Sequence, residues 1–268
     1  MSFLKKIFNP GILHRFDQNY SPVNKEIREN ILSERGNIDD YFPSDFTDNE
    51  RKNVEYVRKS TMTSQERLVV LSRAIDYLVK NNIEGDIVEC GVWRGGSMML
   101  IAQRLIQLKD LTRNLYLFDT FEGMSAPGQE DISAIDSNSA KDLLDQSDRL
   151  KGDNVWCYSS LDEVKSNLQK TGYSSDRLRF IKGKVEDTLP EPSIGNIALL
   201  RLDTDWYEST KHELETLYDK LVPGGVLIID DYGHWTGSKK AVDEFIDNRR
   251  IPIFLNRIDY TGRLAIKP

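Results

Sequence analysis

From residue 61 onward the chain alternates short apolar runs, most of them closed by an acid or a glycine, with longer stretches in which apolar residues recur at helical spacing. "TMTSQERLVVLSRAIDYLVK" carries Leu68, Leu71, Ile75 and Leu78 on one face, and Thr63 and Glu66 have the spacing of a capping box, which predicts an amphipathic helix. A strand "GDIVEC" follows, then a glycine turn, a helix "MMLIAQRLIQL" and a strand "NLYLFD". Beyond a long polar passage over residues 124–154 come a helix "SLDEVKSNLQKTG", a strand "RLRFIKG" with a turn, a strand "NIALLRLD", a helix "KHELETLYDKL" and a strand "GGVLIIDD".

Strands alternating with helices predict an α/β fold with a doubly wound, mostly parallel sheet. The tail "RRIPIFLNRIDYTGRLAIKP" reads as an antiparallel hairpin closing that sheet. Residues 1–60 are polar and weakly periodic, and are expected to form a partly helical N-terminal arm making oligomer or lid contacts; residues 61–268 form the domain. The passage over 124–154 is too long for an ordinary connection, and reads as a lid or a disordered insertion.

Bulk properties narrow the class. A chain of 268 residues with a net charge of -7 and interspersed charges has no basic footprint for nucleic acid. No run is long and apolar enough for a signal peptide or a transmembrane segment. Two cysteines, Cys90 and Cys157, read as free thiols and fit a reducing cytoplasm.

The candidate chemistry lies where strands end. In "VECGVWRGGS" a strand runs into Gly91, Gly95 and Gly96, with Ser97 opening the helix, so that backbone amides can approach a ligand. Glu89 near the end of that strand and Asp119 at the end of the next suggest an adenosine-bearing cofactor with a cationic end, Asp119 facing the ribose hydroxyls. Asp203, Asp230 and Asp231 end two further strands. Together they would repel one another unless a divalent cation such as Mg²⁺ sits among them; the alternative is neutralisation by Arg201 or lysines.

In order, "TMTSQERL", "VECGVWRGGS", "LYLFDTFEGM", "KGKVEDTLP", "LRLDTDWYEST" and "IIDDYGHW" resemble the macrocin O-methyltransferase (TylF-like) family of S-adenosylmethionine- and metal-dependent sugar O-methyltransferases. The resemblance implies a Rossmann-like class I methyltransferase sheet, a small sugar-containing acceptor and a homodimer or higher homo-oligomer. It places Glu89 at the methionine end of the cofactor and Asp119 on the ribose, with Thr61, Met62, Glu186 and Asp187 lining the cofactor pocket. Asp203, Asp230 and Asp231 would hold the metal, with Asp203 the base and His234 competing for that role. The family commonly has a small residue between the paired acids where this chain has Thr204, followed by Trp206, a departure that bears on the acceptor pocket.

Three other readings compete. "YESTK", Tyr207 to Lys211, matches the Tyr-x-x-x-Lys of short-chain dehydrogenases, and "DTD" matches the metal-binding motif of glycosyltransferases. A non-catalytic cofactor-binding subunit is the third.

Overall fold

A computed structural model of the chain describes residues 42–149 and 154–268. Most of the expected N-terminal arm, residues 1–41, lies outside the described residues. The remainder of that arm holds α1 (Asp48–Val57), started by a reciprocal capping box between Thr47 and Glu50. Its Asn53, Val54 and Val57 are buried, so this stretch belongs to the core despite its polar composition.

The other helices are α2 (Gln65–Lys80), α3 (Gly96–Leu108), α4 (Ala140–Asp145), α5 (Leu161–Gln169), α6 (Val185–Thr188), α7 (Tyr207–Leu217) and α8 (Thr236–Arg249). The strands are β1 (Asp86–Cys90), β2 (Leu115–Asp119), β3 (Leu178–Lys182), β4 (Ile197–Leu202), β5 (Leu221–Ile229), β6 (Asn256–Arg257) and β7 (Arg263–Ile266). They form one sheet in the order β3-β2-β1-β4-β5-β7-β6, in which β7 runs antiparallel to both β5 and β6. The doubly wound pattern and the C-terminal hairpin are therefore as the periodicity predicts.

Helices cover both faces, so the central strands read as continuous apolar runs rather than alternating ones. Ile87, Leu115, Leu117, Leu199 and Ile228 pack in one layer with Leu68, Leu71, Ile75 and Leu100 of α2 and α3. Val88, Tyr116, Leu200, Leu202 and Ile229 face the opposite layer with Leu214, Val242 and Phe245 of α7 and α8.

The polar passage after β2 is largely ordered. It contains α4 and two β-bridges, Ile132 with Ser139 and Ser133 with Trp235, the second tying it to the start of α8. Asp131, fully buried, accepts from the Gly128 and Tyr207 amides, and so holds the passage to the first turn of α7. Among the described residues no helix is long and apolar enough to cross a membrane.

Candidate active site

The carboxyl ends of β1, β2, β4 and β5 open into one cavity of about 820 Å³, near the upper end of the range for small-molecule sites. The turn after β1 is made possible by glycine. Gly91 adopts φ +83°, and any Cβ there would run into the backbone carbonyl of Asp203, so the β1 and β4 loops touch at backbone level. Gly96 is crossed by the Ser60–Thr61 backbone in the same manner, which brings Thr61 and Met62 onto the cavity wall.

Thr63 is not the cap of α2. Ser64 is: its side chain accepts from the Arg67 amide, one residue later than the sequence spacing suggests. Thr63 Oγ1 instead accepts from Arg201 Nη2 at 3.1 Å, which draws the start of α2 onto the site.

Asp119 ends β2, but its carboxylate is already engaged. Oδ2 accepts from the Val92 and Trp93 amides at 2.7 and 3.1 Å, and Oδ1 from the Phe121 amide at 2.6 Å. It therefore pins the glycine turn, with Trp93 held at φ +46°, a value few bulky residues adopt. Burial raises its carboxyl above the usual range even though those amides oppose the shift.

Glu89 lies behind the cavity rather than on its wall. It is 1% exposed and stands directly opposite Arg201 across the β1–β4 ladder. Arg201 contacts Glu89, Asp203 and Asp230. Burial pushes Glu89 up to about 7 against the pull of that guanidinium. Gly91, Ser97, Asp119 and Glu186 line the cavity with Thr61 and Met62; Gly95 and Asp187 do not, Asp187 being exposed on α6.

Asp203, Asp230 and Asp231 come together as expected, each offering a carboxylate oxygen within 4.8 Å of the others. Their environments differ. Asp230 loses solvation, yet Arg201 and Arg67 hold it below the usual carboxylate range. Asp203 is held well above that range by burial and by the neighbouring Asp230 and Asp231, against Arg201. Asp231 is likewise raised, by burial and then by Asp205, and its buried Oδ2 meets no donor.

The arginine alternative is thus present alongside the acid cluster: Arg201 and Arg67 are both paired with carboxylates, Arg67 with Asp259 at 2.9 Å as well as with Asp230. Two cations against Glu89, Asp203, Asp205, Asp230, Asp231 and Asp259 leave the cluster acid-rich.

Sequence reasoning missed several participants. Asp205, in left-handed backbone at φ +69°, lines the cavity and is pushed up to about 7 by burial. Its signal was the second acid of "DTD". Arg67 and Asp259, 192 positions apart, left no local trace. Glu213 of α7, fully buried, accepts from Thr204 Oγ1 at 2.9 Å while its other oxygen has no partner.

His234 lines the cavity with Nδ1 2.8 Å from the Tyr260 hydroxyl, and burial lowers it to about 4, so its ring is neutral near pH 7. Trp206 turns away from the cavity, donating to Ser125 O at 3.1 Å and meeting Trp235 edge-on at 5.0 Å; it is Trp235 that lines the wall. Tyr207 is bound to Glu244 and Lys211 sits over its ring, both off the cavity wall, so the dehydrogenase-like motif is a helix surface feature.

Comparison with known proteins fits this site. The family model of macrocin-O-methyltransferase (TylF) matches residues 3–265. The 8-demethyl-8-(2,3-dimethoxy-alpha-L-rhamnosyl)-tetracenomycin-C 4'-O-methyltransferase of Streptomyces olivaceus is 36% identical over 202 residues, 75% of this chain and 73% of its own. Demethyldecarbamoylnovobiocin O-methyltransferase of Streptomyces niveus is 33% identical over 203 residues, again 75% and 73%. Among solved structures, the O-methyltransferase NovP superposes with a TM-score of 0.67 at 32% identity, covering 78% of this chain and 82% of that one. The chain belongs to the macrocin-O-methyltransferase (TylF) family and is an S-adenosylmethionine-dependent O-methyltransferase.

Proposed function

We propose that the protein transfers a methyl group to a hydroxyl of a sugar in a small-molecule acceptor, with Mg²⁺ held by Asp203, Asp230 and Asp231. The observation that carries this reading is the convergence of three carboxylates within 4.8 Å in the same cavity as the glycine turn. Relatives named for O-methylation, one of them of a rhamnosyl-bearing compound, support a sugar acceptor.

The residues fit a hard divalent cation. All three donors are carboxylates, Asp231 Oδ2 is buried without a donor, and the two arginines keep Asp230 ionised, the form that ligates. Mg²⁺ bound there would lower the pKa of an acceptor hydroxyl.

The chain's own residues do the rest. Asp203 accepts the hydroxyl proton at a carboxylate oxygen. Its place in the carboxylate cluster suits it to that step, whereas burial leaves the ring of His234 weakly basic. Thr61, Met62, Gly91, Ser97, Asp119 and Glu186 line the S-adenosylmethionine end, and His234 with Tyr260 orients the acceptor. Trp235, Met124 and Ile135 exclude water on the acceptor side, so the methyl donor and the hydroxyl meet already oriented.

The test is methyl transfer to a panel of glycosides, read as a mass increase, with and without chelator. Asp230→Asn should abolish Mg²⁺-dependent turnover while leaving S-adenosylmethionine binding largely intact. Full activity in chelator, or in the variant, would remove the metal from the reading.

A further inference from the structure

Four cationic residues line the cavity: Arg67, Lys184, Arg201 and Arg257. Arg67 and Arg201 are spent on Asp230, Asp203, Glu89 and Asp259. Lys184 is the N-cap of α6, two positions before Glu186, which also lines the cavity. Arg257, on the edge strand β6, has no carboxylate partner among the described residues.

What surrounds Arg257 explains why. The nearest acid, Asp259, is fully subscribed: Oδ2 accepts from Arg67 Nε and Ser64 Oγ, Oδ1 from the Thr261 and Gly262 amides. Arg257 instead donates Nε to the Asp259 carbonyl at 2.9 Å and Nη2 to the Tyr260 carbonyl at 3.2 Å, leaving Nη1 without a partner among the described residues. Those two bonds hold the guanidinium in place without neutralising it.

Directly across the β6–β7 ladder from Arg257 is Arg263, which among the described residues donates to the carbonyls of Thr261 and Gly262 and lies over the face of Tyr232. Like charges directly opposite one another destabilise a strand pair. Burial and then Arg257 lower the pKa of Arg263, in keeping with that repulsion. An arginine on the cavity wall, held in place but without a carboxylate among the described residues and backed across the ladder by a second arginine, is the arrangement that a phosphate would relieve, since guanidinium donors match phosphate oxygens.

We propose that Arg257, backed by Arg263, forms an anion subsite for a phosphate carried by the acceptor, so that the acceptor is a phosphorylated sugar rather than a neutral glycoside. This rests on the sugar-acceptor reading above. Arg67 and the Asp259 turn separate the subsite from Asp230, so phosphate and reacting hydroxyl would occupy different ends of one molecule.

The experiment is calorimetric titration of the full chain, free of divalent metal and at low salt, with inorganic pyrophosphate, glucose 1-phosphate, uridine diphosphate and, as neutral comparator, methyl glucoside. At least one phosphate probe should bind. Arg257→Gln should weaken it tenfold or more and Arg263→Gln at least threefold, with both variants melting normally. Uridine diphosphate binding tighter than pyrophosphate would point to a nucleotide-linked sugar; equal binding, to a simple sugar phosphate. No binding of any phosphate probe to the wild type, or affinity unchanged in Arg257→Gln, overturns the proposal. A parallel titration with S-adenosylhomocysteine keeps the two readings apart: its failure would count against methyl transfer and leave the phosphate result standing.

Discussion

Replacing Arg201 by methionine is the most informative single perturbation, because the guanidinium is the shared partner of three carboxylates. Asp230 keeps Arg67 and Asp203 is partly open to the cavity, but Glu89, 1% exposed, is left with no cation. Removing one partner of a buried ion pair costs roughly 3–5 kcal/mol. At about 2–4 °C per kcal/mol for a chain of this size, the melting temperature should fall by on the order of 6–20 °C. The deficit should depend on pH in a fixed direction. Glu89 already has a folded-state pKa of about 7, above its unfolded 4.5, so what it contributes to stability is complete below 4.5 and is lost as pH rises through 7. Without Arg201 the folded pKa rises further, so the variant should suffer most at pH 8 and least near pH 5. Adding Glu89→Gln should recover much of the loss at pH 8. The assay is urea unfolding of the metal-free, ligand-free protein at both pH values. A loss below about 1 kcal/mol at pH 8, or the same loss at both pH values, would refute the account of Glu89 as a buried acid that depends on Arg201.

Four further outcomes follow from the geometry. Gly91→Ala combines about 1–2 kcal/mol of left-handed strain with a collision at the Asp203 carbonyl; displacing that aspartate should lower kcat/KM by roughly 10²-fold, and unchanged turnover would contradict it. Asp203→Asn should lower kcat by about 10²–10⁴-fold, whereas His234→Gln should change it far less; the reverse ranking in steady-state kinetics would make His234 the base. The same histidine variant should flatten the acid limb of the stability profile: a ring lowered to about 4 contributes stability above 6.5 that is lost as pH falls from 6.5 through 4. Glu213→Leu strands the Thr204 hydroxyl and should cost about 1–3 kcal/mol in unfolding experiments, while Glu213→Gln, which keeps the acceptor, should cost clearly less.

The sheet was legible because its strands are buried on both faces and end abruptly in acids. Glu89, Asp119, Asp203 and Asp230 mark the ends of β1, β2, β4 and β5 within a residue. The carboxylate cluster followed from that alone, since parallel neighbours bring their ends together. The cap of α2 was misplaced by one position because Thr63 and Ser64 are both competent caps, and the long-range bonds of Thr63 to Arg201 and of Ser64 to Asp259 are not legible in the sequence. The roles of Arg67 and Asp259 were illegible for a different reason: their ion pair spans 192 positions, and periodicity carries no information at that range. That Glu89 faces Arg201 follows from β1 and β4 being register partners, a fact that strand order supplies and sequence does not.

The Asp259 turn has a consequence for how the protein is made. Ser64 and Arg67, near the start of the described chain, and the Asp230 carbonyl are all bonded to the β6–β7 turn at Asp259 and Thr261. As the chain leaves the ribosome, the first four strands of the sheet can pair long before that turn emerges, yet Arg67 has only one of its two acids until it does. The bonds that tie the carboxylate centre to this turn therefore form only after it has emerged. A nascent chain ending before residue 259 would hold most of its core while its reactive pocket was still open on one side.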